Sequence, residues 1–428
     1  MSDHRTTLQI LTDLIRIDSQ NPPGNEQAMV AYIAAYCDSL GIPYQTFTYQ
    51  PNRANIFISL GSGTKRPLTL LGHLDTVRAD ASAWTFDPFA AQIHNGHLYG
   101  RGALDMKYMI AAALTVLSHA KRKEPLLQGR MNLLFTADEE TGSSQGIRAV
   151  LQEREVYEAI ADSLVLNEGG GFAMHHGDRL TYLFETGQKS VARLRLTIPE
   201  IPGTNPYFPT LAHEAILVEA VKRLQALQLD TELPAAVVAL RSLFSSPTDK
   251  LAAADRQLLE TMSESMVTPT IICGGSRNKN LPKGVKATAD FDCRLLPNIT
   301  KTAFLCAVET ALGDLPVTTE LTSFSQGYEA EISSDLVALL HTSLKRHNAS
   351  IEALIPFITP GSNDGKHLRP LGCDVIGFAP LASSQSFGAI MPLIHGVDER
   401  ISLSSIAFCE DVLLDVCLQY LTGDISRE

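Results

Sequence analysis

The chain has 428 residues, enough for two hydrophobic cores, and its 45% hydrophobic and 19% charged residues are those of an ordinary globular protein. Its formal net charge is −12, from 35 basic and 47 acidic residues. That balance excludes the clustered Lys and Arg that nucleic acid or an anionic membrane rewards, and no apolar run is long enough for a membrane span. Seven scattered cysteines, never in a C-x-x-C pair, exclude a disulfide framework and a thiolate metal site. The N-terminus interleaves charges with apolar residues, unlike a signal peptide, so a reducing cytoplasm is expected.

In chain order, Leu8, Leu11, Leu14 and Ile15 recur at helical spacing, and Asn21-Pro22-Pro23-Gly24 stops that helix. A second amphipathic helix runs to about Leu40. Short apolar runs of strand type follow at Asn55–Leu60, Leu68–Leu74, Met131–Ala137 and Ser163–Asn167, with an apolar helix over Met109–Ala120 among them. Buried strands alternating with helices predict an α/β fold, a central, mostly parallel sheet flanked by helices. From about Gly187 the pattern changes. Val191–Ile198 and Val285–Leu295 alternate as half-buried strands, helices are expected near Leu211–Leu227 and Thr302–Leu312, and Val317–Leu321 closes a small sheet. A β-α-β-β-α-β order makes this a ferredoxin-like α+β insert. The expected division is a catalytic domain in two parts, 1–186 and 326–428, around a lid domain, 187–325.

Several of the expected strands end in groups that carry chemistry. The strand from Leu68 ends in His73 and Asp75, where ligands gather in open α/β sheets; His73 suits zinc, and the Asp75 carboxylate would fix its tautomer. Asp105 precedes an apolar helix, as an N-cap or as a carboxylate able to bridge two cations. Glu139 and Glu140 follow a buried strand and precede Gly142. Adjacent side chains do not easily aim at one point, so one as ligand and the other as proton carrier is a natural division of labour. Glu168 ends a further buried strand, and His395 lies in a loop far along the chain. Singly, each is as well explained as a structural histidine, a cap or an acidic turn. Together, His73, Asp105, Glu140, Glu168 and His395 offer imidazole and carboxylate without thiolate, which suits Zn²⁺, with Mn²⁺ or Co²⁺ as substitutes.

The motifs G-H-L-D-T-V (72–77), W-T-F-D-P-F (84–89), G-H-L-Y-G-R-G-A-L-D-M-K (96–107), T-A-D-E-E-T-G (136–142), N-E-G (167–169) and H-G-V-D-E (395–399) resemble, in order and spacing, the M20 metallopeptidase family. That family includes aminoacylases, acetylornithine and succinyl-diaminopimelate deacylases, and glutamate carboxypeptidases. The resemblance implies a zinc-peptidase type of catalytic domain and two zinc ions, one held by His73, Asp105 and Glu168, the other by Asp105, Glu140 and His395. It implies Glu139 as general base and then general acid, with Asp75 orienting His73. Asn280 in N-L-P and Arg294 in D-x-R-x-x-P resemble the lid-domain pair that grips a substrate carboxylate, and Ser362 in G-S-N-D resembles a loop that lines the site. The implied substrate is a small molecule with a free carboxylate, an N-acyl amino acid or small peptide, and the implied assembly is a homodimer through the lid domain.

Two positions depart from the family pattern. Where the family carries H-x-S-x-P, this chain has Asn205, an amide that donates a neutral hydrogen bond to an oxyanion but no imidazolium charge. Tyr108 stands where a glycine usually follows D-M-K and is expected to narrow the pocket. These departures leave an alternative, hydrolysis of another C–N bond such as an aryl amine or a modified amide. A catalytically silent binding protein is a third reading, disfavoured because every ligand and the base are present.

Overall fold

The computed structural model describes residues 5–200, 213–229, 232–243, 251–274 and 281–423. Thr6 caps the first helix, Thr7–Ile15, in a reciprocal capping box with Gln9, and Ile10, Leu11, Leu14 and Ile15 face the core. The sequence-derived strands are found to within a few residues, as Arg53–Leu60, Lys65–His73, Gly129–Thr136 and Leu164–Asn167.

Ten strands form one large sheet whose centre is parallel: Gly129–Thr136, Lys65–His73, Leu164–Asn167 and Asp374–Gly377, side by side. Because strand side chains alternate between faces, neighbouring residues enter different cores. Leu70, Leu133 and Leu166 lie in the larger one with the helices Lys107–Arg122 and Leu403–Thr422. Leu71, Leu134 and Val165 lie in the smaller one beside the helices Ile147–Val150 and Arg154–Ile160. Burial on both faces explains the continuous apolar runs read from the sequence.

The sheet as a whole is mixed: beyond the parallel centre, Ile351–Thr359 pairs parallel with Arg179–Gln188, and the remaining pairs are antiparallel. Tyr44–Gln50 reaches Arg53–Leu60 across two residues, and Phe172–His176 reaches Arg179–Gln188 the same way. Connections that short can only make antiparallel hairpins, and Asn52 (φ 65°) and Gly177 (φ 61°) supply the left-handed backbone the turns require.

A second, four-stranded sheet has the order Met266–Gly274, Val285–Leu295, Ser190–Pro199, Thr318–Ser325, every pair antiparallel. With the helices His213–Gln225 and Lys301–Leu312 it forms a separate core and the ferredoxin-like arrangement. One feature goes beyond that pattern. Between the helix His213–Gln225 and the strand Met266–Gly274 the chain makes two further helices, Ala235–Arg241 and Ala253–Ser263. Ala236 and Val237 join the core of the small sheet, whereas Leu240, Leu259 and Met262 join the large one, so the pair spans the two.

Candidate dinuclear metal site

The three parallel strands that end in His73, Thr136 and Asn167 bring His73, Glu139, Glu140 and Glu168 to one edge of the sheet, and two loops add Asp105 and His395. Asp105 stands at the centre. Its Oδ1 lies 3.0 Å from His73 Nε2 and its Oδ2 lies 3.0 Å from His395 Nε2. Glu168 Oε2 completes the first group at 3.6 Å from His73 Nε2, and Glu140 Oε2 the second at 3.3 Å from His395 Nε2. In each triad, His73–Asp105–Glu168 and Asp105–Glu140–His395, the ligand atoms converge within 4.8 Å, close enough for one ion.

The electrostatics of the cluster ask for positive charge. Burial alone would raise the Asp105 carboxyl, yet hydrogen bonds to His395 and His73 hold it well below the carboxylate range. The His395 imidazole is pushed up to about 10, first by its hydrogen bond to Asp105 and then by Glu140. Against burial, Glu168 and the hydrogen bonds to Asp105 and Asp75 carry His73 well above its ordinary value. The surrounding carboxylates thus bias each imidazole toward its charged form. Glu140 Oε1 is buried without a hydrogen-bond partner among the described residues, a costly state for a carboxylate oxygen that a cation would relieve. Imidazole and carboxylate donors, a shared central carboxylate and an orphaned oxygen fit a pair of divalent ions.

Supporting contacts fix this geometry. The Asp75 carboxylate accepts the backbone N–H of Glu139 (3.1 Å) and Glu140 (3.2 Å) and the Asn21 side chain (2.8 Å). Toward His73 Nδ1 the nearer partner is the Asp75 backbone carbonyl, at 3.0 Å against 3.6 Å for the carboxylate. Asp75 therefore sets the imidazole through its main chain and the Glu139–Glu140 turn through its side chain. Glu399, fully buried, accepts the N–H groups of Gly102, Leu104 and Asp105 and the Arg101 guanidinium, and so clamps the loop that presents Asp105. The H-G-V-D-E motif contained Glu399, but contacts to backbone groups leave no side-chain pattern to read. Burial pushes Glu139 well above the ordinary carboxylate range, His73 opposes, and Glu168, Asp364 and Glu140 add to the rise.

The cluster opens onto a cleft of about 550 Å³ whose lining includes Glu139, Arg294 and Ser362. Arg294 is already engaged, with Nε and Nη2 on Asp292 (2.8 and 3.1 Å) and Nη1 on the Pro360 carbonyl (2.9 Å), which leaves two of its five N–H donors for a ligand. Ser362 Oγ accepts the Lys366 ammonium at 2.6 Å. Lys366 also lines the cleft, and sequence reasoning passed over it although it lies four residues beyond Ser362. Tyr108 is buried in the wall with its hydroxyl on the Ala379 carbonyl (2.8 Å). Asn205 and Asn280 lie outside the described residues.

Two carboxylate–imidazole triads sharing one carboxylate at the edge of a helix-flanked sheet define the class of metal-dependent hydrolases. Residues 69–419 match the sequence profile of peptidase family M20/M25/M40, and the chain belongs to that family. It is 31% identical over 230 residues to a succinyl-diaminopimelate desuccinylase of Parvibaculum lavamentivorans, a match covering 52% of this chain and 55% of the relative, so it spans about half of that protein's length. A Staphylococcus aureus protein named as a probable succinyl-diaminopimelate desuccinylase is 25% identical over 422 residues, 97% of each chain. Among solved structures, an M20 family metallo-carboxypeptidase of Sulfolobus solfataricus superimposes with a TM-score of 0.71 at 17% identity, over 97% of this chain and 99% of that one. Human carnosine dipeptidase 1 gives 0.66 at 16% identity, over 97% and 96%. These likenesses establish the fold. No described helix is long and apolar enough to cross a membrane.

Proposed function

We propose that the chain hydrolyses the amide C–N bond of an N-acyl amino acid or small peptide, with two zinc ions in the triads His73–Asp105–Glu168 and Asp105–Glu140–His395. The observation that carries this reading is the Asp105 carboxylate, with one oxygen 3.0 Å from each of two imidazoles, beside the unpartnered Glu140 Oε1. Ions bound there would supply Lewis acidity, polarising the amide carbonyl and acidifying a water. Glu139 takes the proton of that water as its oxygen adds to the carbonyl carbon, then delivers it to the departing nitrogen. Ions bound there would oppose the burial and the carboxylate repulsion that raise Glu139, and so favour its ionised, basic form. Asn205 donates its amide hydrogen to the oxyanion, and Arg294, with Asn280 and Ser362, receives the substrate carboxylate.

The same reading includes a lid domain over residues 187–325 between catalytic parts 1–186 and 326–428, and a homodimer through the lid. Exposed Ile271 and Ile272, on the outermost strand of the small sheet, support the dimer, since a bare apolar edge strand invites a partner. Reaction in the cytoplasm with a small-molecule partner, without nucleic acid or membrane, completes it. The test is metal content together with hydrolysis of an N-acyl amino acid panel. Glu139→Gln is expected to keep the metal and lose at least a hundredfold in kcat. Retention of full activity by that variant would sink the mechanism.

A further inference from the structure

The helix Ala253–Ser263 belongs in sequence to the small α+β unit, yet it turns Leu258, Thr261 and Met262 into the cleft. Spaced three and four residues apart, these share one face of the helix. The helix is pinned there: Asp255, near its start, accepts the Gly388 N–H at 2.7 Å, and the ammonium of buried Lys189 is held by the Thr261 and Glu264 carbonyls near its end. Among the residues that line the cleft with Leu258 and Met262 are Phe387, stacked on Phe172 at 4.8 Å between ring centroids, and Ile390 and Met391. Tyr108 and Phe357 extend the apolar surface. Apart from the metal-site residues and Glu185, the charged side chains of the cleft lie on a different segment: Arg294 bonded to Pro360, and Lys366 bonded to Ser362. Among the described lining residues these two are the only Lys or Arg.

One carboxylate, that of the amino acid, is received by Arg294 in the reading given above, on which this inference rests, and Lys366 lies at that end of the cleft, bonded to Ser362. A second carboxylate on the acyl side, as in a succinyl group, would be set among Phe172, Phe387, Leu258 and Met262 without a described cationic side chain to pair with. Burying an unpaired carboxylate there is strongly unfavourable, whereas each methylene buried there is favourable. We infer that the acyl group of the substrate is bulky and apolar, an aromatic or medium-chain aliphatic acid, and that the inserted helix with Leu258 and Met262 sets this specificity. Hydrolysis adds the water oxygen to that acyl carbon and a proton to the amine nitrogen, releasing an apolar carboxylate and a free amino acid.

The experiment compares N-octanoyl, N-benzoyl, N-acetyl and N-succinyl L-alanine, and N-acetyl-L-phenylalanine, on the zinc-loaded full chain. The octanoyl or benzoyl substrate is expected to exceed the succinyl one at least tenfold in kcat/KM. Leu258→Ala is expected to lower the octanoyl-to-acetyl ratio about tenfold, the effect of trimming a pocket by a few carbons. Succinyl-alanine turned over as well as octanoyl-alanine overturns the inference and leaves the amide hydrolase intact. A preference for acetyl-phenylalanine over octanoyl-alanine also overturns it, by moving the apolar wall to the amine side. Calorimetric binding of octanoate and succinate to Glu139→Gln reads the pocket without turnover. If no amide is cleaved but octanoate binds more tightly, and Leu258→Ala weakens it, the pocket stands and the proposed reaction falls. Tighter binding of succinate refutes the pocket.

Discussion

Glu399 shows how much a single side chain outside the ion-binding triads carries. Its two oxygens accept three backbone N–H groups and the buried Arg101 guanidinium, all within the loop that presents Asp105. Replacing it with alanine strands a buried cation and three donors, a loss of about 3–5 kcal/mol. Glu399→Ala is therefore expected to lower the denaturation midpoint, and metal titration of the folded fraction is expected to show affinity reduced about 10–100-fold. Four of the candidate site residues were legible because His73, Glu139, Glu140 and Glu168 each follow a buried apolar strand, where a polar group is conspicuous. Glu399 was not, because its partners are main-chain groups that look alike in every sequence. Arg294 was legible as a cation but not as one already paired. Its partner Asp292 lies two residues away on the same face of one strand, and the D-x-R spacing contains that fact once the strand is recognised.

At the scale of elements, the parallel centre of the sheet was readable from continuous apolar runs, and its antiparallel borders were not. A hairpin turn of two residues carries a weaker signal than a long buried strand. The helices Ala235–Arg241 and Ala253–Ser263 escaped for a related reason: both are short, and the apolar face of the first is divided between two cores. Lys189 ties the second of them to the junction of the two sheets. Burial pushes its ammonium down to about 8, with Glu264 opposing and Arg294 adding to the fall. A lysine depressed in the folded state adds stability that is complete above its ordinary value, near 10.5, and is lost as the pH falls through about 8. Compared with Lys189→Met, the wild type is therefore expected to gain stability between pH 8 and 10.5. Denaturant midpoints of the two proteins across that range check the sign; parallel curves would show that Lys189 is not buried as described.

For the whole molecule, the proposed ion sites at Asp105, Glu140 and Glu168 predict that stability depends on metal. An ion that binds only the folded chain stabilises it by about 4 kcal/mol when present at a thousand times its dissociation constant. Zinc is expected to raise the melting temperature by several degrees and a chelator to reverse it. A calorimetric scan that ignores both would mean that the triads do not bind.

The clamp between Glu399 and Asp105 also dates the site within the life of the molecule. The two residues are 294 positions apart, so at about 5–20 residues per second the ribosome adds Glu399 roughly 15–60 s after the aspartate it must hold. Throughout that interval the nascent chain carries His73 and, once they are made, Glu139, Glu140 and Glu168, while His395 and the clamp do not yet exist. An ion captured then meets half a binding site on an unsecured loop. In the proposed reading, the second triad therefore waits for His395, and its loop for Glu399, long after the other ligands have been made.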